Sequence, residues 1–320
     1  MSLIHVMRAL DLLDSPLVTG EDVKRALTAE GVPEKQIEVE KVSSARGSTD
    51  FVKVWIYGSC GRHSGGTAPT LGITGRLGGI GARPSRIGLV SDGDGAAAAV
   101  AAAMKLGTMA CRGDVLKGDV FISTHICPNA PAIPHAPVPF MGSPIDMTTT
   151  NRTEMNVPLD AVLSVDTTRG NRVLNRRGFA ITPTVKEGWI LRVSDDLLDL
   201  MTWVTGELPA VLPITMTDIT PYGNGLYHLN SIMQPCTAVK APVVGVALTS
   251  QSAVPGCASG AAQPADIESA VRFVIEAAKA FGEGKCRFYD EKEFQLARQR
   301  YGTMERLQTM GALPAADPVL

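Results

Sequence analysis

The chain has 320 residues, of which 45% are hydrophobic and 19% charged, and a net charge of −2. That balance builds a folded protein with a large core and excludes a disordered chain. Both signs of charge are mixed along the sequence, so no basic stripe marks a nucleic-acid partner or a membrane surface. The longest apolar stretch, 95–104, is too short to span a bilayer.

Arg8, Asp11, Asp14 and Glu21 interrupt any leader-like apolar run, which points to a cytoplasmic protein. Residues 3–13 and 21–30 read as helices; Thr19 and Asp22 supply an N-cap with an acidic third position, and Gly31 stops the second. Strand patterns follow at 37–42, 51–57, 70–74 and 86–90. Next comes GDGAAAAVAAAMKLG, a helix of small side chains suited to close packing on a sheet or on a neighbouring chain. Segment 118–124 reads as a buried strand. It runs into a stretch with six prolines between 128 and 144, which forbids both helix and inner strand. This Pro-rich loop, 127–145, is expected to act as a lid, a pocket wall or a subunit contact.

The pattern resumes with a strand at 160–165, short strands through 172–193, and a helix at 195–205 opened by Asp195 and Asp196. A short helix at 226–234, a strand at 242–248 and a strong helix at 265–281 follow. Strands alternating with helices predict an α/β fold: a three-layer, open, mixed and mostly parallel sheet with helices on both faces. Residues 1–284 are read as one α/β domain, and 285–320 as a peripheral helix and tail. Much surface-covering material around one sheet favours a homo-oligomer.

In open α/β sheets, ligands sit where strands end. Four predicted strand ends carry suitable chemistry. Asp92 and Asp94 flank a glycine before the Ala-rich helix, where one could bind a metal or polar substrate and either could simply cap the helix. His125 and Cys127 could share a metal, pair as acid and nucleophile, or be a core histidine beside an inert thiol. Asp166 is followed by Thr167 and Arg169, giving a metal or substrate site or a turn salt bridge. Cys257 lies in a small-residue loop. His228 is read as a substrate contact or a core residue, while His63 and His135 are read as surface residues. The six cysteines are scattered, with no C-x-x-C pair, so free thiols are expected. The glycines of GRLGGIGARP lack the dinucleotide spacing, and no G-x-S-x-G elbow or P-loop is present.

The order of segments from residue 3 to about 281 resembles the zinc-dependent aminopeptidase and carboxypeptidase superfamily. Thr19-Gly20-Glu21-Asp22 is similar to its "tGeE" element, and SDGDGAAAAVAAAMKL to the turn and helix that carry its bridging Asp, placing Asp92 there. Asp166 falls where a further Asp ligand is expected. The departures are specific. Gly75-Arg76-Leu77-Gly78 stands where the family has G-H-x-D, no Glu-Glu pair follows 118–124, and no His follows 242–248. The phrases GGIGARP, THICPNAP, FMGSP, DTTRGN and TVKEGWIL also resemble a bacterial domain family of unknown function.

The resemblance implies a metal-assisted hydrolase of amide or peptide bonds, acting on a small polar molecule or short peptide. Asp92, Asp166 and His125 would hold zinc or another divalent ion, at most one and weakly held, or none. His125 and Cys127 would serve catalysis, and Arg76, Thr167, Arg169 and His228 the substrate. Two rivals stand beside it: a metal-free isomerase or racemase using Cys127 with His125 or Cys257, and a non-catalytic binder on the same scaffold.

Overall fold

A computed structural model describes residues 2–76, 79–134, 140–169, 173–214, 230–251 and 262–308. Helices α1 (Leu3–Asp14) and α2 (Gly20–Ala29) open the chain. The expected capping box is present: Thr19 Oγ1 accepts from the Asp22 backbone N–H at 3.2 Å, and Asp22 Oδ2 from that of Thr19 at 2.8 Å. Gly31 leaves the helix with φ of +97°, a backbone state that an L side chain rarely adopts. Strands β1 (Ile37–Ser44), β2 (Gly47–Ile56) and β3 (Leu71–Gly75) follow, then α3 (Asp94–Cys111) and β4 (Val120–Ile126). The Pro-rich segment contains a minimal pair, β5 (Ala132–Ile133) with β6 (Phe140–Met141), and leads to α4 (Met147–Glu154).

Next come β7 (Ala161–Thr167), β8 (Phe179–Ile181), β9 (Val185–Lys186), β10 (Trp189–Ile190), α5 (Asp195–Thr205), β11 (Val243–Leu248), α6 (Pro264–Gly282) and α7 (Glu291–Tyr301). One sheet has the order β1-β2-β4-β3-β7-β11-β9-β10, with β8 also paired to β11. Its centre, β4-β3-β7-β11, is parallel, while both flanks are antiparallel. The fold is therefore α/β with a mixed sheet. Helices lie on both faces: α1, α2, α3 and α6 on one, α4 and a 3-10 helix (Ser231–Thr237) on the other.

Side chains explain the asymmetry of the two faces. Alanines 96–99 and 101–103 of α3 are all buried, and their small size lets the helix lie directly on β3, β4 and β7. A Cβ on Gly75 would meet the Gly95 carbonyl oxygen at 2.4 Å. On this face the strands present Ile73, Ile122, Leu163 and Val165, part of a core that extends from Val6 to Phe288.

The other face is polar. Register aligns Lys53 with Ser123, Ser123 with Thr74, and Thr74 with Ser164. Side chains alternate along a strand, so the next residues toward that face are His125, Arg76 and Asp166. All of these are buried, beneath α4 and the 231–237 helix.

Two expectations need correction. Residues 86–90 form no strand. Gly88 has φ of +87°, Ile87 is 96% exposed while Val90 is buried, and β3 already has β4 and β7 as its two neighbours. Asp92 therefore sits on a 3-10 turn (Ser91–Gly93) that leads into α3, not at a strand end. The short helix expected at 226–234 begins outside the described residues; its later part belongs to the 3-10 helix, which has Pro235 inside it.

Candidate functional site

The parallel strands β3, β4, β7 and β11 end at one edge of the sheet, and two constellations form there. The first is a buried charge network. Glu154, the last residue of α4, accepts from Arg76 Nη1 at 2.5 Å through Oε2, and its Oε1 lies 2.8 Å from His125 Nδ1. Thr74 Oγ1 donates to the same carboxylate at 3.4 Å, and Arg76 Nη2 donates to Gln234 Oε1 at 3.3 Å. Burial pushes the Glu154 carboxyl up, but the Arg76 charge and the His125 hydrogen bond outweigh it and hold it below its ordinary value of 4.5. Phe51 covers the imidazole, with ring centroids 5.4 Å apart.

This network corrects two expectations. Arg76 is 2% exposed and donates to Glu154 and Gln234, so its guanidinium is turned inward rather than toward solvent. His125 lies inside β4 rather than beyond it, and its Nδ1 faces Glu154. Glu154 was missed by sequence reasoning. It ends a weakly patterned polar segment, MTTTNRTE, with no local sign that it turns inward.

The second constellation joins the Asp92 turn to the end of β7. Thr167 Oγ1 donates to the Ser91 carbonyl at 2.7 Å, and Asp166 Oδ1 accepts from the Thr167 N–H at 2.7 Å. Asp94, the first residue of α3, does not cap the helix; its carboxylate pairs with Arg169. Burial pushes Asp94 up to about 7; Arg169 opposes this, and the neighbouring charges of Asp92 and Asp266 add to it. Asp266, also raised by burial, accepts from the Gly178 N–H at 3.0 Å. Arg169 thus pairs with a buried carboxylate, and Thr167 donates to a backbone carbonyl. Asp92 and Asp166 are brought to one edge, 8% and 9% exposed.

Asp92, His125 and Asp166 do not assemble as metal ligands. No group of three or more His, Cys, Asp or Glu side chains placed to hold a metal ion occurs among the described residues. The strand order explains it: β3 separates β4 from β7, so His125 and Asp166 start roughly 10 Å apart at ~4.8 Å per strand. Arg76 lies between them and adds positive charge. A zinc or other divalent centre of the kind the resemblance implies does not fit these residues: the carboxylate nearest His125 already neutralises a guanidinium.

Cys127 is also displaced from chemistry. Its side chain packs with Ala82, Val90, Ala130 and Met141, and burial pushes its thiol above the ordinary value of 9.0. Those surroundings disfavour the thiolate that a reactive partner of His125 would need. His63 is exposed, as expected, and is anchored at the opposite edge. Its Nδ1 lies 3.1 Å from Asp119 Oδ2, and its ring stacks on Tyr57 at 4.3 Å. A cavity of about 430 Å³ also opens there, beside Asp160, Phe288 and Tyr289. His228, Cys257 and His135 lie outside the described residues.

The sheet order belongs to an α/β protein of the zinc-aminopeptidase-like fold. The chain is similar to a glutaminyl cyclase from an Acidobacteriales bacterium (TM-score 0.53, 11% identity, 88% of this chain and 94% of that one). It is likewise similar to the bottromycin maturation enzyme BotP in complex with Mn (0.53, 16%, 88% and 71%). A third likeness is to a TET aminopeptidase from a marine sediment archaeon of the Thaumarchaeota (0.50, 12%, 88% and 99%). At these identities the likeness is one of fold. By sequence, the chain belongs to the family described as "Protein of unknown function (DUF1177)", whose model matches residues 40–311. No curated protein sequence matches it.

Proposed function

We propose that the protein is a ligand-binding member of the aminopeptidase-like fold that works without a di-metal centre. It takes a small polar molecule or short peptide, by a positively charged end, at the carboxyl edge of the sheet. The observation that carries this reading is the Thr167–Ser91 hydrogen bond, which holds the Asp92 turn and the Asp166 strand end together at that edge. Asp92 and Asp166 present two carboxylates at that edge, which suit an ammonium group better than a carboxylate.

A metal-assisted amide hydrolase is the second reading, favoured by the fold it shares with peptidases and by the same pair of carboxylates. The Arg76–Glu154–His125 network counts against it, because it engages the imidazole Nδ1 and the carboxylate nearest to it. The isomerase reading loses its thiol, since Cys127 is in an apolar cluster.

Calorimetric titration with amino-acid amides and dipeptides, on wild type, Asp92→Asn and Asp166→Asn, tests the proposal. Binding by the wild type and loss in both variants, with unchanged melting curves, is expected. Two equivalents of metal by elemental analysis, together with peptide hydrolysis that Asp166→Asn abolishes, would replace this reading with the hydrolase.

A further inference from the structure

The centre of the polar sheet face is built around a cation. Glu154, Gln234, Thr74 and His125 come from α4, the 231–237 helix, β3 and β4, and all four are buried. Glu154 Oε2 and Gln234 Oε1 accept from one guanidinium, which supplies donors in a planar fork and no acceptor, while Thr74 Oγ1 and His125 Nδ1 hold the Glu154 carboxylate. The two elements that carry Glu154 and His125 also hold buried polar atoms that nothing else among the described residues engages. Ser123 Oγ and His125 Nε2 on β4, and Thr150 Oγ1 and Asn151 Oδ1 on α4, have no hydrogen-bond partner among the described residues. Buried polar atoms are normally paired, so four such atoms on the two elements that frame one ion pair leave spare hydrogen-bonding capacity beside it.

We propose that Arg76 is the tethered occupant of a buried cation-binding cradle. Its guanidinium does for this protein what a bound ion would do, neutralising Glu154 and clamping α4 and the 231–237 helix onto β3 and β4. An empty cradle takes up a free guanidinium-class cation. The inference shares with the proposed function only the lack of a di-metal centre. Its test reads stability rather than ligand binding at the edge, so the two fail separately.

Thermal unfolding of Arg76→Ala is measured with millimolar methylguanidinium chloride, with the same concentration of sodium chloride, and with zinc sulfate. Removing one partner of a buried ion pair lowers the midpoint by roughly 10 °C. Methylguanidinium restores more than half of that loss, and sodium chloride restores none. Glu154→Gln, which keeps Arg76 but removes the charge it neutralises, is destabilised as well and is not rescued by methylguanidinium. An unchanged midpoint in Arg76→Ala, or equal effects of the two chlorides, overturns the proposal. So does rescue by zinc alone, because the cradle would then be a metal site that Arg76 blocks. If Arg76→Ala does not fold, its refolding yield on dilution from urea is read with and without methylguanidinium. A higher yield with the cation supports the cradle, and equal yields refute it.

Discussion

The Thr167 hydroxyl donates to the Ser91 carbonyl at 2.7 Å across 76 residues of sequence. The bond connects the end of β7 to the turn that opens α3, so the segments carrying Asp166 and Asp92 move as one piece. Thr167→Val keeps the shape and removes the donor. It should cost about 1 kcal/mol in urea unfolding, the net worth of one such hydrogen bond. It should also weaken ligand binding at the edge. Stability that falls while affinity stays constant would detach this bond from the site.

Asp94 makes the stability of the protein depend on pH. Its folded value of about 7 lies above the ordinary 3.8, so the folded chain holds a proton that the unfolded chain has lost between those values. That stabilisation is complete below 3.8 and is lost as the pH rises through about 7. Asp94→Asn cannot titrate, so its stability should lack this decline and gain on wild type across the same window. Urea unfolding at a series of pH values checks it; parallel curves for the two proteins would show that Asp94 does not titrate there.

The crossing of α3 over the sheet leaves no room at Gly95. A Cβ there would lie 2.7 Å from the carbonyl oxygens of Arg76 and Val165. Alanine gains about 1 kcal/mol in helix propensity, but overpacking against fixed backbone costs about 1–3 kcal/mol. Gly95→Ala is therefore expected to be destabilising on balance, by up to ~2 kcal/mol from these two figures. A variant more stable than wild type would mean that the helix can lift away freely.

Thiol reactivity should follow exposure. Cys60 and Cys111 are exposed, whereas Cys127, Cys236 and Cys286 are buried. Burial also pushes the Cys286 thiol up to about 12, far from the thiolate needed for attack. Mass-spectrometric mapping after brief alkylation should find Cys60 and Cys111 modified first, and the three buried thiols modified only on unfolding. Early labelling of Cys127 would bring back a catalytic thiol beside His125.

Elements with local signals were legible in the sequence. The Thr19–Asp22 capping box, the alanine run of α3 and the helical spacing of Ile267, Val271, Val274 and Ala278 in α6 each lie within a few residues, and each forms as expected. Segment 86–90 misled because RIGLV has the composition of a strand; nothing local shows that both neighbours of β3 are already taken.

The sequence by itself placed Asp92 at the turn that opens a helix, and His125 and Asp166 just beyond strands expected to end at one edge. It also located the Arg76 anomaly, because these depend on residue type and short-range pattern. What those residues do was decided by tertiary structure alone. Arg76 meets Glu154 across 78 residues, and Asp94 pairs with Arg169 from the far end of another strand. Such pairings follow from strand order and from the low dielectric of the interior, where a charge must find its opposite or lose its ionisation. A guanidinium that the sequence offers to solvent or substrate is therefore turned inward, and the centre becomes an internal ion pair.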